Sequence, residues 1–338
     1  MAAQCWATQP KAMTEFFNII HSVLDNEAVG QACAEQYGFD ELPYCEFFHR
    51  GMNDVYLLRT ASNQYAVRAW RANWRSLDDV AYELEFLEFL KNKGLPVVPA
   101  LRCVSGGQYF VVQAPEGPRA LAAFEWVPGA KFADRIDPDL AARLGGVMAD
   151  IHLAGADFSP TKERRTNPPS LIADNLPHLE RLVATCAEDL SFYRKLAPRL
   201  IEALEEIDSE SVPMGASHGD FHLYNGLINA TGEITILDFD NSGRDYYAQD
   251  VMGLCWANEF SGQLETYSDR FVEGYESRRR FSDAERDHLP LFILAKEFRL
   301  LTGYARHLNS LGHYLTKYRD LDWFSTSVRK HAREAGLA

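Results

Sequence analysis

"SHGDFHLYNGLIN" (217–229) and "ILDFDNSGRD" (236–245) decide how this chain is read. The first stretch crowds His218, Asp220 and His222 into one short loop, and Asn225 follows five residues after Asp220. The second places Asp238 at the end of the apolar run "EITILD", thirteen residues after Asn225. "ATGE" separates "GLIN" from that run, so the two apolar segments predict a hairpin that returns Asp238 beside Asn225. Phosphoryl transfer needs few protein parts. One carboxylate orients and deprotonates the acceptor hydroxyl, and oxygen ligands hold Mg2+ against the phosphates. Mg2+ takes hard oxygen donors. Asp220 is therefore the candidate base, with Asn225 and Asp238 as candidate metal ligands.

The rest of the chain sets the context. Its 338 residues suit about two domains, and 46% hydrophobic residues allow a well-buried core. The formal net charge of −14 argues against a nucleic-acid surface, which needs an excess of Lys and Arg. The first 25 residues lack a basic segment followed by a long apolar run, so no signal peptide is expected. No apolar stretch is long enough to predict a transmembrane helix. The six cysteines form no CxxC pair, and their scatter predicts buried thiols in a reducing cytoplasm.

Residues 1 to about 44 read as a helical extension. "CEFFHRG", "DVYLLR" and "QYAVRAW" then read as strands, with a hairpin turn between the last two. "SLDDVAYELEFLEFLKNKG" (76–94) predicts an amphipathic helix with Ser76 as N-cap and Gly94 just past its end. "YFVVQ" and "LAAFEWV" add two strands around a Pro/Gly-rich loop, "APEGPR" (114–119). After "PGAKF" the helical segments 139–155, 176–190 and 193–207 dominate. The expected fold class is α+β, in two parts: a β-rich lobe with its extension over 1–127, and a helical lobe over 128–338. A ligand is expected in the cleft between them.

"HGDFHLYN" followed by "ILDFD" resembles the signature of the aminoglycoside phosphotransferase/choline kinase superfamily. These are small-molecule kinases with a bilobal protein-kinase-like fold. Within it the chain looks most like the bacterial stress-response kinase and type II homoserine kinase branch, over roughly residues 45–310. The resemblance implies ATP and Mg2+ as cofactors, Asp220 as catalytic base, and Asn225 and Asp238 as metal ligands. It implies that His218 ties the catalytic loop down and that Asp250, in "AQDV", bonds the backbone of that loop. In the first lobe "YAVRAW" resembles the strand that carries the phosphate-binding cation, here Arg68, with Glu83 as its helix partner and Glu85 as the fallback. "FEWVPG" implies a hinge at which the backbones of Glu125 and Val127 meet adenine.

There are departures. "HRGMNDVYLL" offers only Gly51 where protein kinases have a GxGxxG loop, so Gly51 and Asn53 stand in as the phosphate turn. "DFD" replaces DFG, so no flip of that segment is expected. No GxxxxGK[ST] cradle occurs. Plain structural roles compete with several assignments. Asn225 could be only a turn residue, Arg68 a surface arginine and Glu83 a solvated helix position. His222 and His152 read as satisfied loop and core histidines, and the tryptophans at 70, 74 and 126 as core. "KEFRLLTGYARHL" (296–308) reads as a solvated helix, although the resemblance implies that this region can line an acceptor pocket. Its mixed charge selects neither a cationic nor an anionic acceptor. The expected partners are ATP and a hydroxyl-bearing small molecule, with a protein substrate or a silent nucleotide-binding scaffold as alternatives. No nucleic acid or membrane partner is expected.

Overall fold

A computed structural model describes residues 17–166, 169–261, 266–312 and 319–338. Five antiparallel strands form the first sheet: β1 (Tyr44–Arg50), β2 (Asp54–Arg59), β3 (Gln64–Ala69), β4 (Phe110–Ala114) and β5 (Gly117–Glu125). Their order is β1-β2-β3-β5-β4. Side-chain alternation sorts the two faces. Tyr56, Leu58, Val67, Ala69, Leu121 and Ala123 pack with Val29 and Cys33 of helix α1 (Asn26–Tyr37). The other face carries Arg68, in register with Ala122, and packs against helix α2 (Leu77–Asn92).

α2 forms where the sequence places it. Ser76 and Asp79 make a reciprocal capping box, which satisfies two otherwise orphaned N–H groups. Gly94, at φ +79°, takes the left-handed position after the last turn. Two expectations change. The extension is not a continuous helix: only α1 is helical, and residues 17–25 run as an irregular strap, with 1–16 outside the described residues. The strap is docked because Ser22 donates to Glu116, and Arg119 Nη1 donates to the Ser22 carbonyl. The 114–119 loop is also shorter than expected. Ala114 pairs with Gly117, so only Pro115 and Glu116 turn. The proline still cannot donate to a ladder, which is why the turn falls there.

Past Glu125, β6 (Ala130–Lys131) joins β8 (Gly226–Ile228) and β9 (Ile234–Ile236), and β7 (Met214–Ser217) pairs with β10 (Gly243–Tyr246). Helices α3 (Pro138–Gly155), α4 (Ser170–Leu182), α5 (Ala187–Glu205), α6 (Ala248–Ser261), α7 (Thr266–Glu276), α8 (Asp283–Asp287), α9 (Leu289–Leu311) and α10 (Leu321–Glu334) surround them. The helix expected over 176–190 is interrupted between Leu182 and Ala187. α3 and α7 approach so closely that a Cβ on Gly274 would lie 1.8 Å from the Ala142 carbonyl oxygen. The α9 segment is not a solvated helix. Glu297 is fully buried, accepting from Trp256 and Ser327 and pairing with His331 of α10. Cys33 and Cys103 are buried thiols, whereas Cys186 is exposed. No helix of the described residues is long and apolar enough to cross a membrane.

Candidate active site

The loop between β7 and β8 is held from beneath by one buried carboxylate. Asp250, on α6, accepts the backbone N–H of His218 and of Gly219, both at 2.7 Å. His152 of α3 donates from Nε2 to the same carboxylate at 3.1 Å and meets the Tyr275 hydroxyl through Nδ1 at 2.7 Å. Burial pushes His152 below its ordinary range, against the pull of Asp250, so it is neutral at pH 7. His152 is thus a core histidine that also orients Asp250. Gly219 sits at φ +81°, and a Cβ there would lie 2.0 Å from the Asn241 carbonyl oxygen. His218 bridges the loop to the hairpin. Its Nδ1 accepts the Asp220 N–H at 3.3 Å, which leaves Nε2 as the protonated nitrogen donating to the Leu237 carbonyl at 3.0 Å.

Asp220 emerges from this loop with 35% of its side chain exposed. Lys296 of α9 donates to its Oδ1 at 3.1 Å, and Asn241 approaches Oδ2 at 3.4 Å. Burial alone would raise the Asp220 pKa. Lys296, followed by His222 and His218, outweighs burial and holds the carboxyl well below the usual carboxylate range. His222 itself is pushed down by burial and is neutral at pH 7, so Lys296 is the standing cation beside Asp220.

β8 and β9 pair as a hairpin, and the Leu237 N–H donates to the Asn225 carbonyl at 3.0 Å. Asp238 therefore follows a strand end anchored on Asn225. The Asn225 side-chain N–H donates to the Asp220 carbonyl at 2.9 Å, leaving its amide oxygen for a ligand. Asp238 is half-exposed and adopts φ +65°, ψ +61°, a left-handed conformation that an aspartate tolerates at a cost. Among the described residues no group of three or more His, Cys, Asp or Glu forms a metal cage. One amide and one carboxylate oxygen fit Mg2+, which is usually held by one or two protein groups and completed by phosphates and water.

Sequence reasoning missed the latch that follows. Asp240 accepts from Trp74 Nε1 at 2.8 Å and pairs with Arg75 at 3.2 Å. Arg75 and Arg164 also donate to its backbone carbonyl, and Arg75 reaches Asn241 Oδ1 at 2.6 Å. Trp74, expected to be plain core, is instead half of this latch between the two parts of the chain. The third residue of "DFD" is thus fixed by a short network rather than freed as glycine would free it. The hint was the basic, aromatic "RANWR" (71–75) just ahead of the Ser76 cap.

The first-lobe residues fall into two groups. Arg68 donates to Glu83 at 2.5 Å and reaches Asp238 at 3.5 Å. Burial opposes its charge, but Glu83, Asp238 and Asp240 outweigh it and keep Arg68 protonated. Burial pushes Glu83 up to about 7, with Arg68 pulling the other way. Glu85 is not the partner; it caps the Thr161 N–H at 2.9 Å. The second group is less engaged. The Asn53 side-chain oxygen is occupied by the Arg71 N–H at 3.1 Å, so it points into the lobe. Arg71 in turn donates to the Met52 carbonyl at 2.9 Å. Gly51 has neither a positive φ nor a close neighbour that would demand glycine. Glu125 and Val127 border an open cavity of about 1210 Å³ shared with Pro96, Leu101 and Asp150. Neither Arg68, Asp220, Asn225 nor Asp238 lines it. Trp126, also expected in the core, is partly exposed and meets Phe48 edge-on.

With this geometry in place, comparison with known proteins is informative. The model of the phosphotransferase enzyme family matches residues 46–287. An uncharacterized protein of Deinococcus radiodurans is 30% identical over 83% of this chain and 82% of its own. Homoserine kinase of Acidiphilium cryptum is 26% identical over 80% and 84%. Among solved structures, the amicoumacin kinase hAmiN in complex with AMP-PNP, Ca2+ and Ami superposes with a TM-score of 0.70. That match is 17% identical and covers 92% of this chain and 93% of that one.

Proposed function

The chain belongs to the phosphotransferase enzyme family, and from that premise we propose that it is an ATP- and Mg2+-dependent kinase of a small hydroxylated molecule. The observation that carries the reading is Asp220, ionised beside Lys296 on a loop whose hairpin continues from Asn225 to Asp238. In the proposed step the acceptor hydroxyl donates a hydrogen bond to Asp220. Its oxygen forms the new bond to the γ-phosphorus as the bond to the β–γ bridging oxygen breaks, so ADP leaves. The hydroxyl proton passes to an Asp220 carboxylate oxygen. A carboxylate held this acidic is a weak base in the ground state, so it orients the hydroxyl first and takes the proton late. Asn225 and Asp238 would hold Mg2+, which supplies charge neutralisation for the phosphates when bound. Arg68, kept protonated by its acidic neighbours, would hold phosphate oxygens. The homoserine kinase relative and the amicoumacin kinase are named for small-molecule acceptors, which favours that class over a protein substrate. The intact set Asp220, Asn225 and Asp238 speaks against a silent scaffold.

Calorimetric titration with ATP, with and without Mg2+, tests the reading. Binding that strengthens with Mg2+ is the expected result. No binding under either condition contradicts it.

A further inference from the structure

His222 stands two residues past Asp220, its ring pinned at one nitrogen and without a hydrogen-bond partner among the described residues at the other. Nδ1 accepts the Tyr224 N–H at 3.2 Å, and the His222 carbonyl accepts the Asn225 N–H at 2.9 Å. The Leu223 carbonyl beside them takes the Ala133 N–H at 3.0 Å, which holds this part of the loop in place. A neutral imidazole carries one N–H, and with Nδ1 accepting, that hydrogen is on Nε2. Nε2 is therefore a fixed, uncharged donor. Asp220 Oδ2 lies 4.0 Å from it, too far for a hydrogen bond, and the His222 side chain is 28% exposed, so a ligand can reach it.

The two oxygens of Asp220 are not equivalent. Lys296 donates to Oδ1 at 3.1 Å, whereas Oδ2 has only the long approach of Asn241 at 3.4 Å. Oδ2 is thus the oxygen better placed to take a proton, and it is the one that His222 Nε2 approaches. An oxygen atom between them, with an ordinary hydrogen bond of about 2.9 Å to each, spans the 4.0 Å gap with an angle of about 90° at that oxygen. A hydroxyl suits the place: it donates its hydrogen to Oδ2 and accepts Nε2–H through a lone pair. An ammonium group does not, because it has no lone pair to offer Nε2–H.

Resting on the phosphotransferase reading, we propose that His222 is a second catalytic residue, which clamps the attacking hydroxyl oxygen against Asp220 Oδ2 through Nε2–H. The remaining lone pair of that oxygen is left for the γ-phosphorus. As the new O–P bond forms and the bond to the β–γ bridging oxygen breaks, the hydroxyl hydrogen passes to Oδ2 and His222 keeps its own. In a loose transition state the attacking oxygen carries little new bonding, so fixing its direction matters more than making it a stronger nucleophile. The pair also selects the group to be phosphorylated. Where an acceptor carries both an ammonium and a hydroxyl, only the hydroxyl satisfies both sides of the clamp.

Two variants separate the donor from the loop. His222→Asn sets an amide oxygen where Nδ1 stands, which keeps the Tyr224 N–H bonded but does not reach toward Asp220. His222→Gln is longer and sets an amide N–H near the place of Nε2. Initial rates of ADP formation are measured with homoserine, choline and 3-amino-1-propanol, and with water alone as ATP hydrolysis. On the fastest of these, His222→Asn should lose about 10- to 100-fold in kcat, the cost of a misdirected reacting group, and His222→Gln should recover at least about fivefold of that loss. Mg·ATP and Mg·ADP affinities should stay within about twofold of the parent in both variants. The reverse order, with asparagine the better replacement, overturns the proposal, because only the loop bond would then matter. Loss of Mg·ATP affinity with Mg·ADP affinity kept overturns it too, because His222 would then hold the γ-phosphate. Should His222→Asn fail to fold, His222→Phe, which also lacks the donor, must show the same loss, and parent-like turnover in it overturns the clamp. A parent that binds Mg·ATP but forms ADP with none of these acceptors, water included, overturns the clamp as well. A parent that does not bind Mg·ATP fails the kinase reading itself.

Discussion

The loop that carries Asp220 and the turn between β1 and β2 are held in opposite ways. The first is determined from inside the fold. A buried carboxylate takes two consecutive amide hydrogens, a histidine bridges loop to hairpin, and a glycine is required where the Asn241 carbonyl passes. The second rests on one residue of the neighbouring segment: the Arg71 N–H donates to the Asn53 side chain and the Arg71 guanidinium to the Met52 carbonyl, and its glycine is not sterically required. The difference teaches where this chain concentrates its constraint. The loop of Asp220 and the hairpin of Asn225 and Asp238 are fixed by several buried contacts at once, whereas the turn between β1 and β2 rests on a few hydrogen bonds around Asn53 and Arg71.

Breaking the over-determined side should be costly. Gly219→Ala combines a left-handed backbone with a Cβ 2.0 Å from a carbonyl oxygen. Strain and overpacking together should cost roughly 2–4 kcal/mol, and a displaced Asp220 should lower turnover by about 10²-fold. Denaturant unfolding and initial rates on the same protein check both figures.

A smaller loss is expected at the hairpin. Asp238→Asn replaces a carboxylate with an amide, a poorer Mg2+ ligand. The Mg2+-dependent part of ATP affinity should fall by roughly 10- to 100-fold, the range that disturbed metal sites show. Affinity measured without Mg2+ should change little. An equal loss in both conditions would mean that Asp238 serves Arg68 rather than a metal.

Lys296→Met sharpens the comparison by changing only the charge beside the base. In the proposed step Asp220 acts ionised, and Lys296 holds that carboxyl below its usual range. Without the lysine, burial acts unopposed by its main counterweight, so the pKa rises. The acid limb of the kcat profile should therefore move to higher pH, and activity at mildly acidic pH should fall more than at pH 8. An unmoved acid limb would detach Lys296 from the base.

Gly51→Ala is the smallest expected change. A Cβ there would make only an ordinary contact with the His49 ring, 3.6 Å away, and the backbone is ordinary, so stability should shift by less than about 0.5 kcal/mol and ATP affinity by less than about twofold. A large effect would show that the turn is as constrained as the catalytic loop.

What could be read from the sequence follows from the range of the interactions. The β-strands, the capped α2 and the hairpin rest on local signals: alternation, Ser76 with Asp79, and a glycine turn. The placement of Asp220, Asn225 and Asp238 needed only short spacings. Arg68 with Glu83 followed from a strand followed by a helix. The Asp240 latch, by contrast, joins Trp74 and Arg75 to a residue about 165 positions away. Lys296 meets Asp220 across 76 positions, and buried Glu297 finds its partners on α6 and α10. In sequence those charges look like a solvated stripe, because burial of a charge is visible only once its partner is in place. Asn53 shows the reverse error: a polar residue near a presumed phosphate turn is consumed by the backbone N–H of Arg71, just past β3.

The central claim is that Asp220 is the base and does not hold the nucleotide. Asp220→Asn keeps the size of the side chain and removes its charge. Measured together on that variant, turnover with a competent acceptor should fall by roughly 10²- to 10⁴-fold while Mg·ATP affinity stays within about threefold of the parent. Turnover at the parent rate, or a loss confined to Mg·ATP affinity, would contradict the assignment.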